Sequence, residues 1–135
     1  MNNLEMHKAL CKIIHSVYVR KNAAYGNSFG DTFQKLGIIS AVTRITDKYN
    51  RLVTLGLAKQ SHNATKSTNM TESPNSDNPG KVDDLGESLV DTLLDLANYC
   101  LMTVIELQDE LPDNLREQLK DVQCVAEEEV LAYTD

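Results

Sequence analysis

The sequence contains no tryptophan, and aromatic residues make up only 5% of its 135 residues. Aliphatic side chains must therefore provide most of the packing, and a hydrophobic content of 41% is enough for one core of ordinary size. The three cysteines are an odd number without a metal-ligand spacing, which argues against a disulfide framework. We interpret them as reduced thiols of a cytoplasmic protein.

Positive charge is scarce as well. Thirteen Lys and Arg residues stand against twenty Asp and Glu residues, giving a formal net charge of -7. Nucleic acid backbones and anionic membranes both bind basic surfaces, so neither is expected as a partner, whereas a small anion carried in with Mg²⁺ remains possible. The N-terminal residues lack a signal peptide pattern and a membrane span, which also favours the cytoplasm, of the host if the protein is phage-encoded.

Apolar residues recur at helical spacing in four segments, and no segment alternates as a strand does. Helices are predicted over residues 3–21, 38–55 and 83–108, and a last helix is predicted with Asp113 or Asn114 as its N-cap. The sequence therefore predicts one all-α domain over residues 1–135, a four-helix bundle. Such a short chain without aromatic bulk is also expected to form a homo-oligomer, a dimer or tetramer.

Gly56 is predicted to end the second helix as its C-cap. Residues 58–82 then lose the helical periodicity and are rich in Ser, Thr, Asn, Pro and Gly. We predict a long flexible loop here, within the single domain, because segments of this composition rarely pack a core. Loops of this length are usually functional lids or disordered linkers.

The helix over 83–108 carries acids in a narrow arc between apolar flanks. Wound at about 100° per residue, this arc holds Asp84, Glu87, Asp91, Asp95 and Asn98. Carboxylates four residues apart on a helix repel each other unless a cation lies among them. Their oxygens suit Mg²⁺, which binds one or two carboxylates, water and phosphate oxygens. The alternative interpretation is an exposed acidic stripe on an ordinary bundle helix.

The second helix places three cations and one acid on one face: Arg44, Asp47, Lys48 and Arg51. One interpretation is a solvated face with ion pairs. The other is a phosphate-binding face in which Asp47 adds a carboxylate to the metal site.

Between the first two helices, the segment KNAAYGNSFGDTF contains turn residues at Gly26 and Gly30. It matches neither a phosphate-binding loop nor a dinucleotide fingerprint. Tyr25 and Phe29 either form the wall of a base pocket or fill the gap between two helices.

Three segments, KNAAYGNSF, RITDKYNRL and ESLVDTLLDLANYCLM, together resemble the small phage family called nucleotide modification associated domain 1. The resemblance covers roughly residues 10–108. That family is similar to the all-α NTP pyrophosphohydrolases, which include the MazG-like and dimeric dUTPase-like enzymes. The resemblance implies a helical bundle, often completed by a second subunit, in which carboxylates hold Mg²⁺ against nucleotide phosphates.

Carried over to this sequence, the resemblance implies a metal site of Glu87, Asp91, Asp95 and Asp47. It implies catalysis by Glu87, Asp91, Asp95 and Lys48, and substrate binding by Arg44, Arg51, Asn98, Tyr25 and Asn27. The larger group has E-x-x-E on its first acidic helix and E-x-x-D on its second, whereas the acids here step by four. We therefore expect a Mg²⁺-dependent (deoxy)nucleotide-binding protein related to pyrophosphohydrolases. The alternative is a non-catalytic helical phage protein that binds a nucleotide or a host protein.

Overall fold

The structure, a computed structural model, describes the backbone of residues 1–68 and 82–132 and the side chains of residues 1–64 and 89–123. Those backbone ranges contain five α-helices, one short 3-10 helix at Gln108–Glu110 and no strand. The α-helices are α1 (Asn3–Tyr25), α2 (Ser28–Leu36), α3 (Ile38–Thr68), α4 (Val82–Glu106) and α5 (Asp113–Ala132). The all-α prediction is confirmed, while the bundle arrangement stays a prediction.

Helix α1 begins with a capping box. The backbone N–H of Glu5 donates to Asn2 Oδ1 at 2.9 Å, and the backbone N–H of Asn2 donates to Glu5 Oε2 at 2.9 Å. These two bonds satisfy donors that the first turn of a helix leaves unpaired. The helix ends at Gly26, whose φ of 64° is a conformation that glycine adopts without strain.

Helix α2 was not predicted from the sequence. The turn prediction holds at Gly26, but Gly30 is buried inside α2, and the helix ends at Gly37 with a φ of 69°. Helix α2 packs against α3. Burial within α2 therefore overrides the local preference of Gly30 for a turn.

Helix α3 runs well past the predicted end at Gly56, which is a half-buried residue in the middle of the helix. Residues 58–68, assigned to the loop over 58–82 by composition, are helical, and residues 69–81 lie outside the described part of the chain. Alanine, lysine and glutamine in this stretch favour helix, and the first proline comes only at Pro74. Propensity therefore outweighs the missing apolar periodicity.

The chain divides into two compact units, residues 1–103 and 104–135. In the first unit, Ala41 of α3 is fully buried, and the larger aliphatic side chains with described placement are half-buried or exposed. In the second unit, the carbonyl oxygen of Pro112 accepts from the N–H groups of Leu115 and Arg116, at 3.0 and 3.1 Å. Helix α5 begins at Asp113, so Asp113 and Asn114 lie in its first turn and the N-cap prediction is wrong by at least one residue. None of the helices, within the residues described, has an apolar stretch long enough to cross a membrane.

The position of Gly56 gives a stability prediction. A Cβ built at this residue meets no atom within 4 Å, so Gly56→Ala should add helix propensity without a clash. We expect the free energy of unfolding to rise by about 0.5–1 kcal/mol in urea denaturation monitored by circular dichroism. The matched control is Gly37→Ala, which should destabilise because alanine is strained at a φ of 69°. A loss of stability in Gly56→Ala would contradict this account of α3.

Candidate functional site

The first unit contains a cavity of about 380 Å³ that is lined by residues of α1, α2, α3 and α4. This volume lies within the range of small-molecule sites in proteins, about 300–1,000 Å³. The turn at Gly26 positions one wall of the cavity. Because α1 ends there and α2 begins at Ser28, Tyr25 and Asn27 both lie at the cavity.

Aromatic side chains form the apolar part of the lining. They come from α1, α2 and α4: Tyr18, Tyr25, Phe29 and Tyr99. The rings of Phe29 and Tyr99 lie 5.9 Å apart at an interplanar angle of 42°, an ordinary packing contact between α2 and α4. Tyr25 is 76% exposed, so it does not fill a gap between helices. The packing interpretation therefore applies to Phe29, which also lines the cavity. The pocket-wall interpretation applies to Tyr25, whose ring is open to solvent or a ligand.

Three asparagine side chains also line the cavity, Asn22, Asn27 and Asn98. Asn27 precedes α2 but makes no capping hydrogen bond with its side chain. Asn98 is only 8% exposed, and its amide makes no hydrogen bond to any residue in the described ranges. No described side-chain nitrogen or oxygen atom is both buried and without a partner, so the Asn98 amide is accessible from the cavity. Asn98 therefore presents an unused donor and acceptor at the cavity wall.

Asp95 is the charged centre of the site. Lys48 Nζ donates a hydrogen bond of 2.9 Å to Asp95 Oδ2, and Lys21 Nζ lies 3.5 Å from Asp95 Oδ1. One carboxylate thus connects α1, α3 and α4. Burial raises the pKa of Asp95, but the hydrogen bond from Lys48 and the positive charges of Lys21 and Lys48 outweigh burial, so the pKa lies below its usual value.

Arg44 adds a second cation to the lining, beside Lys21. No ion pair joins Arg44 to another residue of the described chain. Lys21 and Arg44 against Asp95 leave one net positive charge on the cavity lining, in a chain whose net charge is -7. The cavity is therefore a locally cationic region on an acidic protein.

The structure brings together five of the residues that the sequence predicts for the site: Tyr25, Asn27, Arg44, Asp95 and Asn98. Lys48 joins them through its bond to Asp95.

The other predicted residues lie apart from this cavity. Asp91 is exposed and borders a second, smaller depression with Asp95 and Asn98. Asp47 is exposed on α3, and neither Asp47 nor Arg51 lines the cavity. Glu87 belongs to α4, but its side chain lies outside the described residues.

Sequence reasoning missed several lining residues, among them Tyr18, Lys21, Asn22 and Tyr99. A signal for most of them was present. Lys21, Asn22 and Tyr99 fall within the segments KNAAYGNSF and ESLVDTLLDLANYCLM, and Arg44 opens RITDKYNRL. The three segments that carry the family resemblance therefore meet at one cavity.

The described carboxylates fit a metal only in part. Among the side chains that the structure describes, no three His, Cys, Asp or Glu residues gather closely enough to hold a metal ion. Asp91 and Asp95, one helical turn apart, are the nearest to such a pair, and each oxygen of Asp95 has a lysine partner. Two carboxylates are enough for Mg²⁺ when a substrate supplies phosphate oxygens.

The chain is similar to a phage protein. Over 97 residues it is 31% identical to the Gene 30 protein of Bacillus phage SP01. The aligned stretch covers 72% of this chain and 42% of that protein, so the chain spans less than half the length of this relative. No protein-family model and no solved structure matches the chain.

The charge cluster around Asp95 gives a second prediction. Lys48 is 24% exposed, whereas Lys21 is 59% exposed and farther from Asp95. We expect Lys48→Met to lower the free energy of unfolding at pH 7 by about 1 kcal/mol, after discounting for solvent exposure, and Lys21→Met by only about 0.3 kcal/mol. Urea denaturation of the two variants and the wild type measures both values.

The pH dependence of the same variants is the check. A carboxyl with a lowered folded-state pKa stabilises the fold above its unfolded pKa and loses that contribution as the pH falls through the folded value. The pKa of Asp95 in the folded protein lies below the ordinary value of an aspartate. The difference between wild type and Lys48→Met should therefore be constant near neutral pH and shrink below about pH 4. A larger effect for Lys21→Met would show that Lys48 is not the main partner.

Proposed function

We propose that this protein binds a nucleotide in the cavity of its first unit, with the base among the aromatic and amide side chains and the phosphates near the cations. The observation that carries the proposal is Asn98, a mostly buried residue whose amide is accessible at the cavity wall and makes no hydrogen bond to any other described residue. The relative is a phage protein, and we place the proposed role in phage nucleotide metabolism or modification.

The lining matches the two faces of a nucleobase. The exposed ring of Tyr25 offers a stacking surface, and base–aromatic stacking contributes about 1–3 kcal/mol in single-stranded nucleic acid complexes. The edge of a base carries paired hydrogen-bond donors and acceptors, and so does the amide of Asn98. Asn27, whose side chain does no capping, lies on the same cavity and can contact the base or the sugar.

The charges match the phosphates. Arg44 and Lys21 lie on the lining, and an arginine can bind a phosphate through two parallel hydrogen bonds. Arg51 lies two turns after Arg44 on α3 and extends this cationic surface. Lys48 holds Asp95 by a hydrogen bond, which fixes the carboxylate in the position from which it acts.

Mg²⁺ enters this proposal with the nucleotide. Asp91 and Asp95 of α4 would hold the ion, with Glu87 and Asp47 completing the predicted set. When bound, it would supply charge neutralisation at the phosphates and activation of a water for attack on phosphorus. Arg44 and Arg51 stabilise charge on the leaving pyrophosphate, so the reaction class is (deoxy)nucleoside triphosphate pyrophosphohydrolysis. A MazG-like four-helix bundle, a homo-oligomer and the cytoplasmic location belong to the same proposal.

Nucleotide binding without hydrolysis is the second candidate. One observation favours it: both carboxylate oxygens of Asp95 have lysine partners, so a metal would have to compete with them. The absence of E-x-x-E on α3 points the same way. A turnover screen of canonical and modified dNTPs, detecting released pyrophosphate, separates the enzyme from the binder.

Two cavity variants test the binding site. We expect Arg44→Ala to weaken the binding of a nucleoside triphosphate about tenfold to hundredfold in isothermal titration calorimetry, because it removes a charged hydrogen-bond donor to phosphate. Asn98→Ala should weaken binding about fivefold. It should not lower the free energy of unfolding through a lost hydrogen bond, since this amide has no partner in the described chain.

The matched control for these variants is Lys35→Ala, which removes an exposed cation of α2 that does not line the cavity. The affinity of Lys35→Ala for the nucleoside triphosphate should equal that of the wild type. If Lys35→Ala and Arg44→Ala lose the same affinity, the loss comes from the change in net charge and not from a contact of Arg44 with the phosphate. Absence of binding heat for all nucleotides with folded wild-type protein would refute the proposal.

The metal is tested separately. Titrations of the same nucleotide with and without Mg²⁺ give the metal-dependent part of the affinity. Asp91→Asn should remove this part, a loss of at least about tenfold, while leaving far-UV helicity unchanged. Asp121→Asn, at an exposed acid of α5, is the control for the loss of one negative charge. If Asp91→Asn retains the full response to Mg²⁺, the acidic arc of α4 is not the metal site.

A further inference from the structure

The outward face of α3 is apolar and exposed over most of the described helix. The residues that we call the α3 seam recur at steps of three and four: Ile39, Val42, Thr46, Tyr49 and Val53. Ile39 is 61% exposed, Val42 45%, Tyr49 56% and Val53 39%. Thr46, at the centre of the seam, is exposed too. Large side chains in this number are normally covered when they share a helix face.

The seam is also uncharged. Wound at about 100° per residue, the charged residues of 38–57 span an arc of roughly 100°, and the seam lies within the uncharged remainder of roughly 260°. Ile38 and Leu57 belong to this uncharged arc, and they are 51% and 60% exposed. Every charged residue of the stretch lies on the other side of the helix: Arg44, Asp47, Lys48 and Arg51. Helix α3 therefore has a charged side near the cavity and an uncharged outer side.

We infer that the α3 seam is the contact surface of a homodimer, in which α3 of one copy packs against α3 of a second copy. Alternating steps of three and four are the spacing with which one helix packs along another. In a two-fold dimer the same patch meets itself, so any charge within it would face the same charge. An uncharged patch on a chain of net charge -7 meets that condition.

The size of the patch agrees with this partner. Full burial of a large aliphatic side chain contributes about 1.5–3 kcal/mol at about 25 cal/mol per Å², which corresponds to roughly 60–120 Å². Six large seam and flanking side chains that are about half exposed therefore offer about 200–400 Å² of apolar area. One side of a standard interface covers about 800 Å², of which about 57% is apolar. The exposed apolar area is thus of the order that a dimer buries.

A second uncharged face exists on α4, where Val90, Leu93 and Leu101 are 52%, 45% and 55% exposed. This face continues through Val104 and Ile105, which are 45% and 50% exposed, so it carries five large exposed side chains against six on and beside the α3 seam. It provides a matched control on another helix. Because the charged side of α3 does not belong to the seam, dimerisation and nucleotide binding can be tested independently.

The experiment compares wild type, Val42→Glu and Val53→Glu with the control Leu101→Glu, by multi-angle light scattering over a hundredfold range of protein concentration. Circular dichroism verifies that each variant retains its helicity. We expect the wild type to be a dimer, the two seam variants to be monomers and Leu101→Glu to remain a dimer. The dissociation constant of the seam variants should rise at least a hundredfold.

Should either glutamate variant lose helicity, Thr46→Arg replaces it. Position 46 is already polar and exposed, and arginine favours helix. The introduced charge should therefore dissociate the dimer without unfolding α3. A wild type that is monomeric at every concentration overturns the inference. So does a dimer that persists in folded Thr46→Arg or dissociates only in Leu101→Glu. None of these outcomes decides nucleotide binding, which the calorimetric titrations test in the same variants.

Discussion

The interaction on which the first unit depends is the bond between Asp95 and its two lysines. Aliphatic contacts alone fix the register of neighbouring helices weakly, because they have no direction. A hydrogen bond of 2.9 Å from Lys48 and a charge contact of 3.5 Å from Lys21 do have a direction, and they join α3 and α1 to one atom group on α4. The cavity lies among the same three helices and α2. Its shape therefore depends on a polar contact in a unit with few fully buried side chains.

The sequence predicted the helices and the side chains they carry better than it predicted their partners. Helical periodicity placed Asp95 and Asn98 in one arc of α4, and Arg44 and Lys48 on one face of α3, and the structure joins these faces. Periodicity cannot say which cation meets which acid, because that depends on how two helices are rotated and shifted relative to each other. The repulsion among acids on α4 required a cation nearby, and at Asp95 two lysines meet that requirement.

The errors concern residues whose local preference and tertiary environment conflict. Gly30 and Gly56 are turn-forming types, but Gly30 is buried and Gly56 half-buried within helices, so the surrounding helix overrides their local preference at a cost in chain entropy. Residues 58–68 have the polar composition of a loop and the helix propensity of a solvent-exposed helix end. Composition describes what a segment can bury, whereas propensity describes what its backbone adopts when it buries little.

Helix α3 places three kinds of surface around one axis. Ala41 and the half-buried side chains near it pack within the unit, Arg44 and Lys48 lie near or on the cavity, and the α3 seam lies outside. A second helix packed along the seam would hold α3 over the length that carries both cations. Restraining this helix lowers the entropy that Arg44 and Lys48 lose when they bind an anion, because less backbone motion remains to be ordered. An uncharged outer face and a cationic inner face on one helix are therefore physically connected: the first determines how rigidly the second is presented.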